Sequence, residues 1–328
     1  QGKSLNLKEC PMLTRLDISN SNFKVIKIRD DNKINNLSIL RSPNLDLSFL
    51  SKCHNLYRLY IEECKLDLNL LNHMKLLEKL IIINPLEVTG NLGEQKSVRY
   101  LELNYNIRDD MVPLEELPQL PPNLEHLNLY IDNDNYDYQD LNLKVLSFCL
   151  RLEKIAIRGK NINLLIKDIK NCKSLKYVRF NIIDGSINAA KYLAELPLLT
   201  ILHIRSPDPS LDNLLRLKHC KELKSVDIHM DNLTSLRFLE HCKSLEYLCI
   251  ITERDLNVEY LEDCTNLKNL FLGSKSITNY KFLPKLPELE NLYLYNDELD
   301  PSSIKKLKSK LKRWDGKEIT AFRIENAE

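Results

Sequence analysis

Nine cysteines and seven histidines give this 328-residue chain enough soft ligands and nucleophiles for metal or thiol chemistry, so their spacing decides what they can do. Seven cysteines (Cys10, Cys53, Cys149, Cys172, Cys220, Cys242 and Cys264) each stand three residues before a leucine. Such regularity reads as one small, buried structural slot filled repeatedly. His219–Cys220 and His241–Cys242 could suggest zinc. Adjacent residues point to opposite sides, however, and the paired C-x-x-C spacing of structural zinc sites is missing. Asp132, Asp134, Asp137 and Asp140, with Tyr136 and Tyr138 among them, could suggest calcium. An EF-hand loop starting at Asp132 would need glycine at its sixth position and glutamate at its twelfth, where Asp137 and Leu143 stand. His203, Asp227 and Cys249 invite comparison with a catalytic triad, but a triad needs the base between nucleophile and orienter. Here the aspartate is in the middle. No metal, no cofactor and no catalysis are therefore expected.

The elements that carry these residues follow one template, L-x-x-L-x-L, in which Ile, Val or Phe can replace Leu. It begins at Leu13, Ile34, Leu56, Leu77, Val98, Leu124, Leu152, Leu175, Leu199, Leu223, Leu245, Leu267 and Leu289, with spacings of 21 to 28 residues. A fixed period in this range marks a stacked-repeat architecture. Within each copy the apolar residues alternate, so they face one side of a strand and the intervening residues face the other. One such strand cannot bury its apolar face alone, whereas stacked copies form a parallel sheet over a continuous core. The second half of each unit, such as Leu233, Leu236 and Leu239, supplies the opposite wall through short turns.

Units such as FLEHCKSLEYLCI (238–250) and FLSKCHNLYRLYI (49–61) resemble the leucine-rich repeat family from end to end. The short repeats look like its phosphatase-regulator-like or cysteine-containing subclasses. The resemblance implies an α/β fold: a curved leucine-rich-repeat solenoid, with a parallel sheet on the concave face and short helical or 3₁₀ segments on the convex side. It would be a single solenoid over 1–328. The asparagine-ladder slot, eight residues after each first leucine, departs from the family, holding Asn only at Asn106, so other groups must satisfy that turn. LKSKLKRWDGKEIT (307–320) resembles a C-terminal leucine-rich-repeat cap through Leu311, Trp314, Asp315 and Gly316, which implies a cap over 305–328. LPQLPPNLEHLNL resembles the leucine-proline repeats of bacterial type III effectors. Leu5 and Leu7 fill second-half slots of a unit whose strand is missing, as expected of a fragment or of a poorly capped N-terminus.

Composition narrows the function. Lys plus Arg is 47 and Asp plus Glu is 46, a net charge of +1. That balance argues against coating nucleic acid or an acidic membrane, which wants a large positive field. Neither a membrane-spanning apolar run nor a secretory signal is visible. The odd, repeat-locked cysteines then fit a reducing, intracellular compartment, cytoplasmic in the first instance. Two clusters stand out on the outward strand positions. Lys154, Arg158, Arg179, His203, Arg205 and His229 gather with Asp227 in repeats seven to ten; Tyr247, Phe271, Tyr293 and Tyr295 follow in repeats eleven to thirteen. Tyr and Arg dominate interface hot spots. The expected function is recognition of a protein partner by a monomeric scaffold without catalytic activity. Rival readings are an effector-type protein binding host targets, an anionic-ligand or nucleic-acid binder using the basic cluster, and the recognition domain of a larger enzyme.

Overall fold

The structure is a computed structural model that describes residues 3–107, 117–133, 139–188, 190–207 and 214–296. Thirteen strands form a parallel sheet in chain order. They are β1 (Arg15–Ser19), β2 (Asn36–Leu40), β3 (Arg58–Glu62), β4 (Lys79–Ile83), β5 (Tyr100–Ile107), β6 (His126–Asn133), β7 (Lys154–Lys160), β8 (Tyr177–Ile182), β9 (Ile201–Arg205), β10 (Ser225–His229), β11 (Tyr247–Ile251), β12 (Asn269–Ser274) and β13 (Asn291–Asn296). Each strand carries one copy of the template. Parallel neighbours require a crossover between them, and the second half of each repeat provides it.

Register keeps like with like. Leu59 pairs with Leu80 and Ile61 with Ile82 between β3 and β4; Leu248 pairs with Leu270 and Ile250 with Leu272 between β11 and β12. Leu56, Leu59 and Ile61 are fully buried, as are Leu245, Leu248 and Ile250. Each such side chain stabilises the fold by about 1.5–3 kcal/mol relative to exposure. Short 3₁₀ turns line the other wall, among them Leu47–Lys52 and Leu68–Leu71. Asp46 and Asp67 open these two turns by accepting from the backbone N–H of Ser48 and Asn69, both at 2.9 Å. Small parallel ladders complete the wall, such as Lys65–Asp67 with Glu87–Thr89. Lys3–Asn6 pairs with Phe23–Lys27, which puts Leu5 beside Ile26 in the second-half position expected of it.

The cysteine slot closes the turn before each strand. Cys53 N–H donates to the Leu50 carbonyl at 2.9 Å, and the Cys53 carbonyl accepts from Leu56 N–H at 3.2 Å. Cys149, Cys220, Cys242 and Cys264 repeat both bonds. The buried Cys53 thiol itself stands 3.8 Å from the Phe49 carbonyl. Burial pushes the Cys53, Cys149, Cys172, Cys220 and Cys264 thiols up to about 12 and that of Cys242 to about 11. Cys10 differs, being exposed.

The missing asparagine ladder also has a physical answer. In repeats one to four the residue after the strand takes a left-handed backbone: Asn20, Arg41, Glu63 and Asn84, with φ between 44° and 49°. This extra residue sets the inward position at the eighth residue, where Ser42 and Cys64 are buried. In repeats nine, eleven and twelve the strand's alternation continues, and the buried polar residue comes one place earlier, at Ser206, Thr252 and Ser274. Ser42 Oγ donates to the Leu40 carbonyl at 3.0 Å and accepts from Ser21 N–H at 3.1 Å. Thr252 Oγ1 donates to the Leu233 carbonyl at 2.8 Å.

The chain comprises two compact units, Gln1–Ile162 with Asn171–Ser174, and Asn163–Lys170 with Leu175–Glu328. Strands β1–β7 belong to the first and β8–β13 to the second. No helix among the described residues is long and apolar enough to cross a membrane. The cap residues Leu311, Trp314, Asp315 and Gly316, and Asp134, Tyr136, Asp137 and Tyr138 of the acidic segment, lie outside the described residues.

Candidate functional site

Alternation on β8–β13 turns one set of side chains outward, and these are the candidate recognition residues. In the second unit Arg179 and Arg205 are exposed, while His203, Asp227, His229, Tyr247, Phe271, Tyr293 and Tyr295 are half-buried. Lys154 and Arg158 are exposed on β7 and belong to the first unit. Two outward positions are buried: Ile81 on β4, at 5% exposure, and Gly273 on β12.

The aromatic group is organised by register. Phe271 and Tyr293 are direct partners on β12 and β13. Parallel neighbours lie about 4.8 Å apart, close to the separation at which two rings stack. Their ring centroids are 4.3 Å apart and their planes 3° from parallel. Tyr247 leans on Phe271 at 5.6 Å and 41°. Gly273 follows on β12 with no side chain in its outward place, between Ile251 and Tyr295. An open groove of about 940 Å³ lies there, lined by Arg205, His229, Ile251, Gly273 and Tyr295 among others. Neither Arg179 nor Arg205 makes an ion pair within 4.0 Å among the described residues. Their charge is therefore available to an incoming acid.

Histidine and carboxylate sit beside the arginines. His203 pairs in register with Asp227, and its ring lies 5.6 Å from that of Tyr177. Burial pulls the His203 pKa below its ordinary value, against the opposing pull of Asp227. Burial pushes the Asp227 carboxyl up, but His229 and then His203 outweigh it and hold it below its ordinary value. Sequence rows put His203 beside Asp227 and Cys249, yet it is His229 that closes on both. Its Nε2 is 3.0 Å from Asp227 Oδ1 and 3.9 Å from Cys249 Sγ. The missed signal was two residues apart on one strand, where alternation returns a side chain to the same face. A triad uses the two nitrogens of the ring separately; here one nitrogen faces both partners. Burial, followed by the Asp227 charge, pushes the Cys249 thiol up to about 12, opposite to the shift that activates a nucleophile.

His219 and His241 are exposed while Cys220 and Cys242 beside them are buried, so those two pairs do not converge.

No family model and no curated protein matches the chain. Solved structures do. An internalin from Listeria monocytogenes superposes with a TM-score of 0.63 at 18% identity, covering 95% of this chain and 88% of that one. A leucine-rich repeat protein from Leptospira interrogans gives 0.57 at 14%, covering 94% and 93%. The plant peptide hormone receptor RGFR1, solved in complex with RGF2, gives 0.51 at 15%, covering 90% and 54%. The chain has the leucine-rich-repeat fold.

Proposed function

We propose that the protein is a recognition scaffold that binds a protein partner on the outward face of β8–β13, without catalytic activity of its own, in a reducing intracellular compartment. The observation that carries this reading is the half-exposed stack of Tyr247, Phe271 and Tyr293 on the same face as Arg179 and Arg205, which make no ion pair among the described residues. Apolar rings held rigidly at a water-facing sheet gain by being covered, and little side-chain entropy is lost when they are. Arg179 and Arg205 suit an acidic segment of the same partner. RGFR1, a peptide hormone receptor of this fold solved in complex with RGF2, supports a peptide-bearing partner.

Gly273 offers a direct test. A Cβ there would stand 3.6 Å from Ile251 Cγ1, an ordinary contact, so Gly273→Ala fits and Gly273→Leu fills the groove. With a partner identified by affinity capture and mass spectrometry, Gly273→Ala should bind like the parent and Gly273→Leu roughly tenfold more weakly, about 1.4 kcal/mol. Parent-like binding by a folded Gly273→Leu chain, with loss of binding on changing the opposite wall, would overturn the reading.

A further inference from the structure

Asp227, His229 and Cys249 bring a carboxylate oxygen, an imidazole nitrogen and a thiol sulfur within 4.8 Å of one another. Among the described residues this is the one such group of three. The fold itself assembles it. Asp227 and His229 share the outward face of β10, and Cys249 is the register partner of Asp227 on β11. All three are partly accessible, with the His229 and Asp227 side chains 32% and 30% exposed, so a solute can reach them.

Two observations say that something more than a side-chain contact is accommodated. His229 Nε2 stands 3.0 Å from Asp227 Oδ1, yet that buried oxygen receives no directed hydrogen bond. The same Nε2 is 3.9 Å from Cys249 Sγ, so one nitrogen, one oxygen and one sulfur converge on a common region. Donor atoms around a tetrahedral zinc ion, at about 2.0–2.3 Å from the metal, are separated by roughly 3–4 Å. The 3.0 and 3.9 Å separations match that spacing.

We propose that Asp227, His229 and Cys249 form a surface site for a zinc-class divalent cation, held by one sulfur, one nitrogen and one oxygen with a fourth position open to solvent or to a partner's side chain. The donor set selects the metal class. Thiolate with imidazole favours zinc or cobalt over magnesium or calcium, which take oxygen alone. Binding expels the Cys249 thiol proton to solvent, and the thiolate and carboxylate together neutralise the ion's two positive charges. The site adjoins the aromatic stack through the Tyr247–Cys249 contact and goes beyond the partner-binding reading.

Cobalt(II) titration of the full chain under argon, with a non-thiol reductant, tests it. One equivalent should produce an intense near-ultraviolet sulfur-to-cobalt band together with the visible bands of a four-coordinate ion, and zinc should abolish both. Cys249→Ser should remove the near-ultraviolet band, and His229→Gln and Asp227→Asn should each weaken binding at least tenfold. Cys10→Ser, which removes the exposed thiol elsewhere, should leave the spectrum unchanged. Far-ultraviolet circular dichroism confirms that each variant is folded. Absence of the band in the parent, its survival in Cys249→Ser, or its loss in Cys10→Ser overturns the proposal.

Discussion

The outward faces of β3–β5 and β10–β13 are built on the same backbone and differ in what their side chains do with one another. On the first, polar groups satisfy each other. Tyr60 Oη donates to Glu62 at 2.8 Å, and Arg41 reaches the same carboxylate at 3.3 Å. Tyr100 Oη donates to Glu102 at 2.7 Å and accepts from Asn128 at 2.9 Å, while Lys79 lies 4.2 Å above the Tyr100 ring. On the second, Phe271 stacks on Tyr293, Tyr247 leans on Phe271 with its hydroxyl against the Cys249 thiol, and Arg205 makes no ion pair among the described residues. One face is closed by its own hydrogen bonds; the other keeps apolar area and charge for something else. Aromatic content alone does not mark a binding surface, since both faces have it. What marks it is whether the tyrosines already have partners.

The inward columns should show no such difference. Leu59→Ala in the first unit and Leu248→Ala in the second each remove a fully buried side chain and should cost about 2–5 kcal/mol, read by chemical denaturation. A large cost in one and a negligible cost in the other would break the claim of equivalent cores. The outward columns should diverge. Phe271→Ala should raise the partner's dissociation rate and weaken binding by about 2 kcal/mol, roughly thirtyfold. Tyr60→Ala should leave binding within about twofold. Equal losses by surface plasmon resonance would erase the distinction.

The shared cysteine slot yields a pH prediction common to both units. Cys53 and Cys264 are raised from 9.0 to about 12 by burial. Below pH 9 the thiol is protonated in folded and unfolded chains alike, so its full stabilisation is present. Above pH 9 the unfolded chain releases the proton and the folded chain keeps it, so stability falls as pH rises towards 12. Each thiol contributes at most about 1.4 kcal/mol per pH unit. Cys53→Ala and Cys264→Ala should therefore each make the melting temperature less sensitive to pH between 9 and 10.5. An unchanged slope in both would show that these thiols are not protected. The smallest effect expected is on rate: Arg205→Glu should slow association several-fold and reduce its salt sensitivity, because long-range charge steers encounter more than it holds the complex.

The repeat and the parallel sheet were legible because the apolar period is imposed by burial and each copy has the same physical task. The cysteine slot was legible for the same reason, with the exposed Cys10 the exception. The ladder position was less so. Whether a residue such as Arg41 or Asn84 turns left-handed after its strand shifts the inward position by one, and nothing in the hydrophobic pattern registers that shift. For the site, row arithmetic placed Phe271 and Tyr293 together but not His229 with Cys249. Their approach depends on how a side chain leans along its strand, which alternation leaves open. The partners of Tyr60 and Tyr100 were missed likewise, since a tyrosine two residues from a glutamate reads equally as exposed or satisfied.

Site-specific photocrosslinking tests the central claim most directly. A photoreactive phenylalanine analogue is placed at Tyr293 or at Tyr60 in otherwise unchanged chains, and each is irradiated with the identified partner. The account predicts a covalent adduct from position 293 and none above background from position 60. Adduct formation from position 60 alone would contradict it.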